Sequence, residues 1–112
     1  MECIFCSIAA KKLPATMVFE DEALIAFQDI HPKAAVHLLI VPKVHRSSLA
    51  ETTLEDTELL GQMLTRAREL AEKQGIAERG YKVVINTGKD GGQIIPHLHL
   101  HLLGGEPIHG AV

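Results

Sequence analysis

The chain has 112 residues, 46% hydrophobic and 22% charged, with a net charge of -3 at pH 7. These values suit one domain over residues 1–112 and exclude a disordered chain. With 11 basic residues against 14 acidic ones, 4% aromatics and no long apolar run, they also speak against a nucleic-acid binder and a membrane span.

Ile4, Phe5, Ile8 and Ala9 recur at helical spacing, which predicts a short helix over Cys3 to Lys11 that ends before Pro14. Met17 to Glu20 and Ala23 to Gln28 are short runs joined by Asp21-Glu22 and read as a β-hairpin. His37 to Val41 is a compact apolar strand stopped by Pro42. Thr53 to Gln74 predicts one long helix, its apolar stripe formed by Leu59, Leu60, Met63, Leu64, Ala67, Leu70 and Ala71. Thr53 is the expected N-cap, and Gly75 the expected residue just past the end. Tyr81 to Asn86 and Leu98 to Leu103 read as two further strands. The fold class is therefore α+β: an antiparallel sheet of about five strands, one long helix on one face and a short N-terminal helix.

The N-terminal stretch MECIFCSIAAKKL has neither a basic start nor a long apolar middle, so no secretory signal is expected there. Two cysteines make no disulfide framework, and the expected compartment is the cytoplasm.

Three of the seven histidines stand at positions 97, 99 and 101, alternating with Leu98, Leu100 and Leu102. On a strand that alternation puts the imidazoles on one face and the leucines on the other, against the core. Histidine titrates near neutrality, so it can attack, accept and donate protons, and it is also a common zinc ligand. A solvated face, one metal held by all three imidazoles, and catalysis by at least one of them are all compatible with the row. Gly88, Gly91 and Gly92 lie just upstream and can expose backbone N–H groups in a phosphate-binding nest, which favours catalysis on an anion. The alternative for this loop is a flexible connection. Cys3 and Cys6 form a C-x-x-C pair with three readings: a redox dithiol, two small buried residues, or half of a zinc site.

The run His97-Leu98-His99-Leu100-His101-Leu102-Leu103 resembles the signature of the histidine-triad family. The likeness extends through Ile4-Phe5, Phe19 to Glu22, Ala26 to Ile30, His37 to His45, Asp90 to Gln93 and Gly104-Gly105. It is strongest to the nucleotide-binding branch, whose members cleave purine nucleoside phosphoramidates. The resemblance implies the following roles. His99 would be the nucleophile on the α-phosphorus of a nucleoside phosphoramidate or acyl adenylate, and would form a nucleotidyl-imidazole that water hydrolyses. His101 would bond the phosphoryl oxygens, with His37 in support. Asn86, Gly92 and Gln93 would contact phosphate and ribose, and Asp29 the ribose hydroxyls. Phe5, Ile8, Phe27, Ile30 and Leu39 would wall the base. Some relatives bind a structural zinc through residues matching Cys3, Cys6, His45 and His97, while the chemistry itself needs no metal. A homodimer paired through the long helix and the strand at Tyr81 to Asn86 is also implied. The expected ligands are purine nucleoside monophosphates and their phosphoramidate or acyl conjugates; the alternative is a nucleotide sensor or adaptor with weak turnover. One departure stands out: Ile94 occupies a position where many relatives carry a polar residue thought to aid the leaving amine.

Overall fold

The computed structural model describes residues 3–110; the outermost residues of the expected 1–112 domain lie outside the described ones. The chain forms α1 (Ile4–Ala9), β1 (Met17–Glu20), β2 (Leu24–Gln28), β3 (Val36–Pro42), α2 (Thr57–Lys73), β4 (Tyr81–Val84) and β5 (Leu100–Gly104). Single turns of 3-10 helix at Leu49–Glu51 and Leu54–Asp56 lead into α2. The five strands form an antiparallel sheet in the order β1-β2-β3-β5-β4, so β3 and β5 are its centre. This is the expected α+β architecture.

Register divides the sheet into two faces. On one face Leu24, Ala26, Leu38, Ile40, Leu100 and Leu102 pack with Leu98 against Met63, Ala67, Leu70 and Ala71 of α2. On the other, Ile25, Phe27, Leu39 and Val41 pack against Phe5 and Ile8 of α1. His37 and His101 belong to this second face, because β3 and β5 pair Leu39 with His101 and His37 with Leu103. The sheet thus separates a dry leucine-rich core from a layer that carries the imidazoles.

Local chemistry explains the boundaries. Asp21 turns the β1–β2 hairpin, its Oδ1 accepting the N–H groups of Ala23 and Leu24 at 2.8 Å each. Thr53 is a cap as expected, but of the 3-10 turn, in a capping box with Asp56, and α2 proper begins four residues later at Thr57. Gly75 closes the helix with φ +75, a conformation costly for residues with a Cβ. Leu64 is 54% exposed and Ile4 47%, so neither is the core residue its spacing suggested. β4 ends two residues short of the expected Asn86, whose side chain turns instead to the following loop. β5 begins at Leu100, not Leu98, because the facing position on β3 is Pro42, which has no N–H to donate. The Leu98 N–H is taken by the Arg46 carbonyl at 2.7 Å.

Candidate active site and metal centre

His97 and His99 sit in the irregular approach to β5, and only His101 lies on the strand itself. His97 is 0% exposed, His99 is 6% exposed, and His101 is half-buried. The first of the three imidazoles points away from the other two, into a group of sulfur and nitrogen atoms.

That group is Cys3, Cys6, His45 and His97, whose candidate ligand atoms all lie within 4.8 Å of one another. Cys3 Sγ is 3.2 Å and Cys6 Sγ 3.6 Å from His97 Nδ1; Cys6 Sγ is 3.4 Å and His97 Nδ1 3.1 Å from His45 Nδ1. A tetrahedron with zinc–sulfur bonds of about 2.3 Å and zinc–nitrogen bonds of about 2.0–2.1 Å has edges of about 3.3–3.8 Å, so the donor set fits such an ion. The other nitrogen of His97 is tied to the Pro42 carbonyl at 2.8 Å. Only an N–H can donate to a carbonyl, so Nε2 carries the proton and the Nδ1 lone pair faces the thiols, the arrangement metal-binding histidines use. The loop carrying His45 is held in turn. The Arg46 guanidinium meets the Asp56 carboxylate at 3.2 Å, at the mouth of α2. The Asp56 carboxyl is held below its usual range by the Thr53 N–H first and by Arg46 second.

His99 and His101 form a second group with His37 and Asp29. His99 Nδ1 bonds the His97 carbonyl at 2.7 Å, so Nδ1 carries the proton and Nε2 keeps its lone pair. Burial lowers the His99 pKa, although the His97 carbonyl and Asp29 pull the other way. The ring is neutral at pH 7, and that lone pair is available for attack. The His101 tautomer follows from a chain of partners. The Lys33 backbone N–H donates to His37 Nδ1 at 3.1 Å, so the His37 proton is on Nε2. That N–H faces His101 Nδ1 at 2.9 Å and the Asp29 carboxylate at 3.4 Å. His101 therefore accepts on Nδ1 and presents Nε2–H outward. Burial pushes its pKa down to about 4, with His99 and His37 adding to the effect, so it is a neutral donor at pH 7.

The remaining expected site residues fall into three sets. Phe5, Ile8, Phe27 and Leu39 come together under the imidazole layer, each at most 8% exposed, whereas Ile30 is 84% exposed and stands apart from them. Asp29 is a turn residue as well as a neighbour of His37: its Oδ1 accepts the His31 N–H at 2.8 Å. Asn86, Gly92 and Gln93 are engaged within their own loop. Asn86 Nδ2 donates to the Gly91 carbonyl at 2.8 Å. Gln93 accepts the Gly88 N–H at 3.0 Å and donates to the Ser47 and Ile95 carbonyls at 2.7 and 2.9 Å. The N–H groups of Gly92 and Gln93 bond the Lys89 and Gly88 carbonyls. These bonds brace the glycine loop through the N–H groups of Gly88, Gly92 and Gln93. Gly91 is required by space, since a Cβ there would lie 2.3 Å from the Thr87 carbonyl oxygen. The three triad imidazoles do not converge on one point: among the described residues, His97 groups with the cysteines and His101 with His37 and Asp29. The partners that set the tautomers, the Lys33 N–H and the carbonyls of Pro42 and His97, were not found from the sequence. They are backbone atoms and carry no side-chain signal.

Comparison with known proteins gives concordant results. Residues 2–108 match the family described as scavenger mRNA decapping enzyme C-term binding. The chain is 50% identical over 102 residues to Protein HitA of Neisseria gonorrhoeae, covering 91% of this chain and 94% of that one. It is 41% identical over 107 residues to purine nucleoside phosphoramidase of Escherichia coli K12, covering 96% and 90%. Among solved structures it is similar to a HIT family hydrolase from Legionella pneumophila Philadelphia 1, with TM-score 0.95, 47% identity and 96% of each chain covered. It is also similar to a zinc-bound histidine triad family protein from Mycobacterium smegmatis, with TM-score 0.79, 31% identity, and 93% and 75% covered.

Proposed function

The chain belongs to the histidine-triad family, and from that premise we propose that it is a hydrolase of purine nucleoside 5'-phosphoramidates and acyl or aminoacyl adenylates, working through a nucleotidyl-histidine intermediate. The observation that carries this reading is the pair of opposite tautomers. His99 keeps its lone pair on Nε2 while the adjacent ring, His101, keeps its proton on Nε2; their centroids are 4.9 Å apart. One ring attacks phosphorus and the other donates to the phosphoryl oxygens.

In the first step His99 Nε2 attacks the α-phosphorus, the bond to the leaving group breaks, and a phosphorus–imidazole bond forms. His101 Nε2–H bonds an equatorial oxygen as charge builds there. In the second step water attacks the same phosphorus, its proton passes to solvent, and His99 departs with its electron pair, releasing the nucleoside monophosphate. Two displacements replace one difficult one. A leaving amine takes a proton from solvent as the phosphorus–nitrogen bond breaks, whereas an acyl group leaves as a stable carboxylate and needs none. Ile94 is 90% exposed and offers no donor. Acyl adenylates therefore gain relative to phosphoramidates in this chain. Phe5, Ile8, Phe27 and Leu39 support the base side of the site, and Asp29 the ribose side.

Cys3, Cys6, His45 and His97 would hold zinc with four protein ligands and no open position. Zinc bound there supplies folding energy and no chemistry at phosphorus. A reducing cytoplasm keeps the two thiols available for it. We further assign a homodimer across β4, an edge strand of the sheet whose Tyr81 and Val83 are 39% and 37% exposed, together with Leu64 of α2.

The test is incubation with adenosine 5'-phosphoramidate and with an acyl adenylate, following AMP release and trapping the nucleotidyl-histidine by rapid quench and mass spectrometry. The adduct is expected on His99, and His99→Ala should bind AMP without turnover. Near-normal turnover by His99→Ala overturns the mechanism. Tight AMP binding with negligible turnover of either substrate by the wild type identifies a nucleotide sensor instead.

A further inference from the structure

Cys3 and Cys6 are the only cysteines in the sequence, and both are thiols in the structure. Cys3 lies just outside α1, with φ -74 and ψ 133, and Cys6 lies in the first turn of the helix. Their sulfurs converge on one atom: Cys3 Sγ is 3.2 Å and Cys6 Sγ 3.6 Å from His97 Nδ1. The two sulfurs are therefore neighbours, within 4.8 Å of each other. The cluster is not sealed. Both cysteines are half-buried, and His45, whose Nδ1 is 3.4 Å from Cys6 Sγ, is exposed. A small polar molecule has access to the sulfurs from that side.

Two such thiols can close on each other. A disulfide needs Cβ atoms about 3.5–4.5 Å apart, and residues three apart on a helix have theirs about 5–6 Å apart. Closure therefore takes a shift of about 1–2 Å. Cys6 does not supply it, because α1 is seated by Phe5 and Ile8 against Ile25, Phe27, Leu39 and Val41. Cys3 does, because its backbone is extended and lies outside the helix. Its carbonyl accepts the Ser7 N–H at 2.9 Å, which keeps the segment in register while its φ and χ1 turn. A bridge over so short a segment is strained and lies near the surface, and disulfides of that kind are the readily reduced ones.

We infer that Cys3 and Cys6 form a reversible redox site that takes a peroxide as its oxidant and competes with zinc for the same two sulfurs. Only the competition rests on the zinc reading; the bridge itself forms without metal. Cys6, beside the exposed His45, reacts first. With hydrogen peroxide its sulfur attacks one oxygen, the O–O bond breaks, the thiol proton leaves with the other oxygen as water, and a sulfenic acid remains. The Cys3 sulfur then attacks the Cys6 sulfur, the S–O bond breaks, and the Cys3 proton leaves with the hydroxyl as a second water. Two electrons pass from the sulfurs to the peroxide. Where the sulfurs enter as zinc-bound thiolates, two protons from solvent complete the two waters. The disulfide offers no thiolate, so only His45 and His97 would face the ion, two ligands where a structural site has four.

The experiment treats untagged wild type, zinc-loaded and chelated, with hydrogen peroxide in native buffer. The readouts are intact mass, zinc release to a chromogenic chelator, and zinc affinity by titration. Both forms should lose two hydrogens within one chain, and dithiothreitol should restore them. The loaded form should release its zinc in step, one ion per disulfide. Oxidised protein should bind zinc more than about 100-fold more weakly, since loss of a mere supporting partner of a ligand already costs about 10–100-fold. In Cys3→Ser the sulfenic acid should persist on Cys6 and be captured by dimedone, while Cys6→Ser should show little label. Gain of oxygen without loss of two hydrogens, a bridge formed only between chains, or oxidation that dithiothreitol does not reverse would overturn the inference. Zinc retained by chains that carry the disulfide would overturn the competition, and equal labelling of the two variants the order of attack. A disulfide that forms in protein unable to bind zinc would support the redox site and refute the zinc reading, so the two fail separately.

Discussion

Replacing His37 tests whether the order of protons in the site matters to the reaction. His37 is 4% exposed, accepts the Lys33 N–H on Nδ1, and donates from Nε2 to His101 at 2.9 Å. Leucine at position 37 fills similar space but donates nothing, and Lys33, an exposed residue, can turn its N–H to water. His101 then loses the donor that holds its proton on Nε2 and samples the other tautomer, which points a lone pair at the phosphoryl oxygens. A neutral hydrogen bond contributes about 0.5–1.5 kcal/mol net. At the upper end that is about tenfold in rate. The loss should fall on kcat rather than KM, because the bond to the phosphoryl oxygen strengthens as charge develops. Glutamine can place an N–H near the position of His37 Nε2, so His37→Gln should recover to within about threefold of wild type. The assay is steady-state AMP release from adenosine 5'-phosphoramidate, with melting curves to show that both variants are folded. Leucine within twofold of wild type, or glutamine no better than leucine, would refute the chain of tautomers.

Three further outcomes are expected. Metal analysis of untagged protein should find close to one zinc per chain, and Cys3→Ser should lose it and melt lower, since a closed site contributes to folding directly; a metal-free wild type with the same melting temperature as its zinc-loaded form would refute the assignment. Burial lowers the pKa of His37, His97, His99 and His101 from 6.5, His101 to about 4. Protons therefore bind the unfolded chain first, and the stability these rings contribute is complete above pH 6.5 and lost as pH falls toward 4. Glu20, held at about 2 by Lys11 and Lys43, adds a loss only below 4.5. Urea midpoints of chelated protein should decline from pH 6.5 downward, less steeply in His101→Asn, and a flat profile to pH 4.5 contradicts the burial argument. Gly91→Ala should cost about 2 kcal/mol in urea unfolding, because its Cβ meets the Thr87 backbone at 2.3 Å; an unchanged midpoint would show that the loop is slack.

The architecture was legible because periodicity reports burial, and burial reports which face of an element is covered. The period of two at Leu98, Leu100 and Leu102 placed those leucines on the α2 side, where they are 1%, 0% and 0% exposed. Periodicity misled where the apolar stripe of a helix is wider than the face it buries. Leu64 continues the stripe of α2, yet it is 54% exposed. A pattern of apolar residues cannot tell a core from an exposed stripe. Ends of strands were missed for a different reason. They depend on what the neighbouring strand offers, as when Pro42 denies Leu98 a partner.

The site divides the same way. The sequence grouped Cys3, Cys6, His45 and His97, and their ligand atoms come within 4.8 Å of one another although they are spread over 95 positions of sequence. What the sequence could not carry is the difference between three chemically identical side chains. His97 faces sulfur because Pro42 holds its Nε2–H, and His99 exposes Nε2 because His97 holds its Nδ1–H. His101 exposes an N–H because His37 occupies its Nδ1. Each assignment is made by one backbone carbonyl or one neighbouring ring, at the point where a strand gives way to irregular chain. If β5 ran unbroken from Leu98, the Pro42 carbonyl would be spent in the ladder and His97 would lose the partner that fixes its tautomer. The late start of β5 therefore gives a repeated residue three different surroundings, which the proposed metal ligand, nucleophile and donor require.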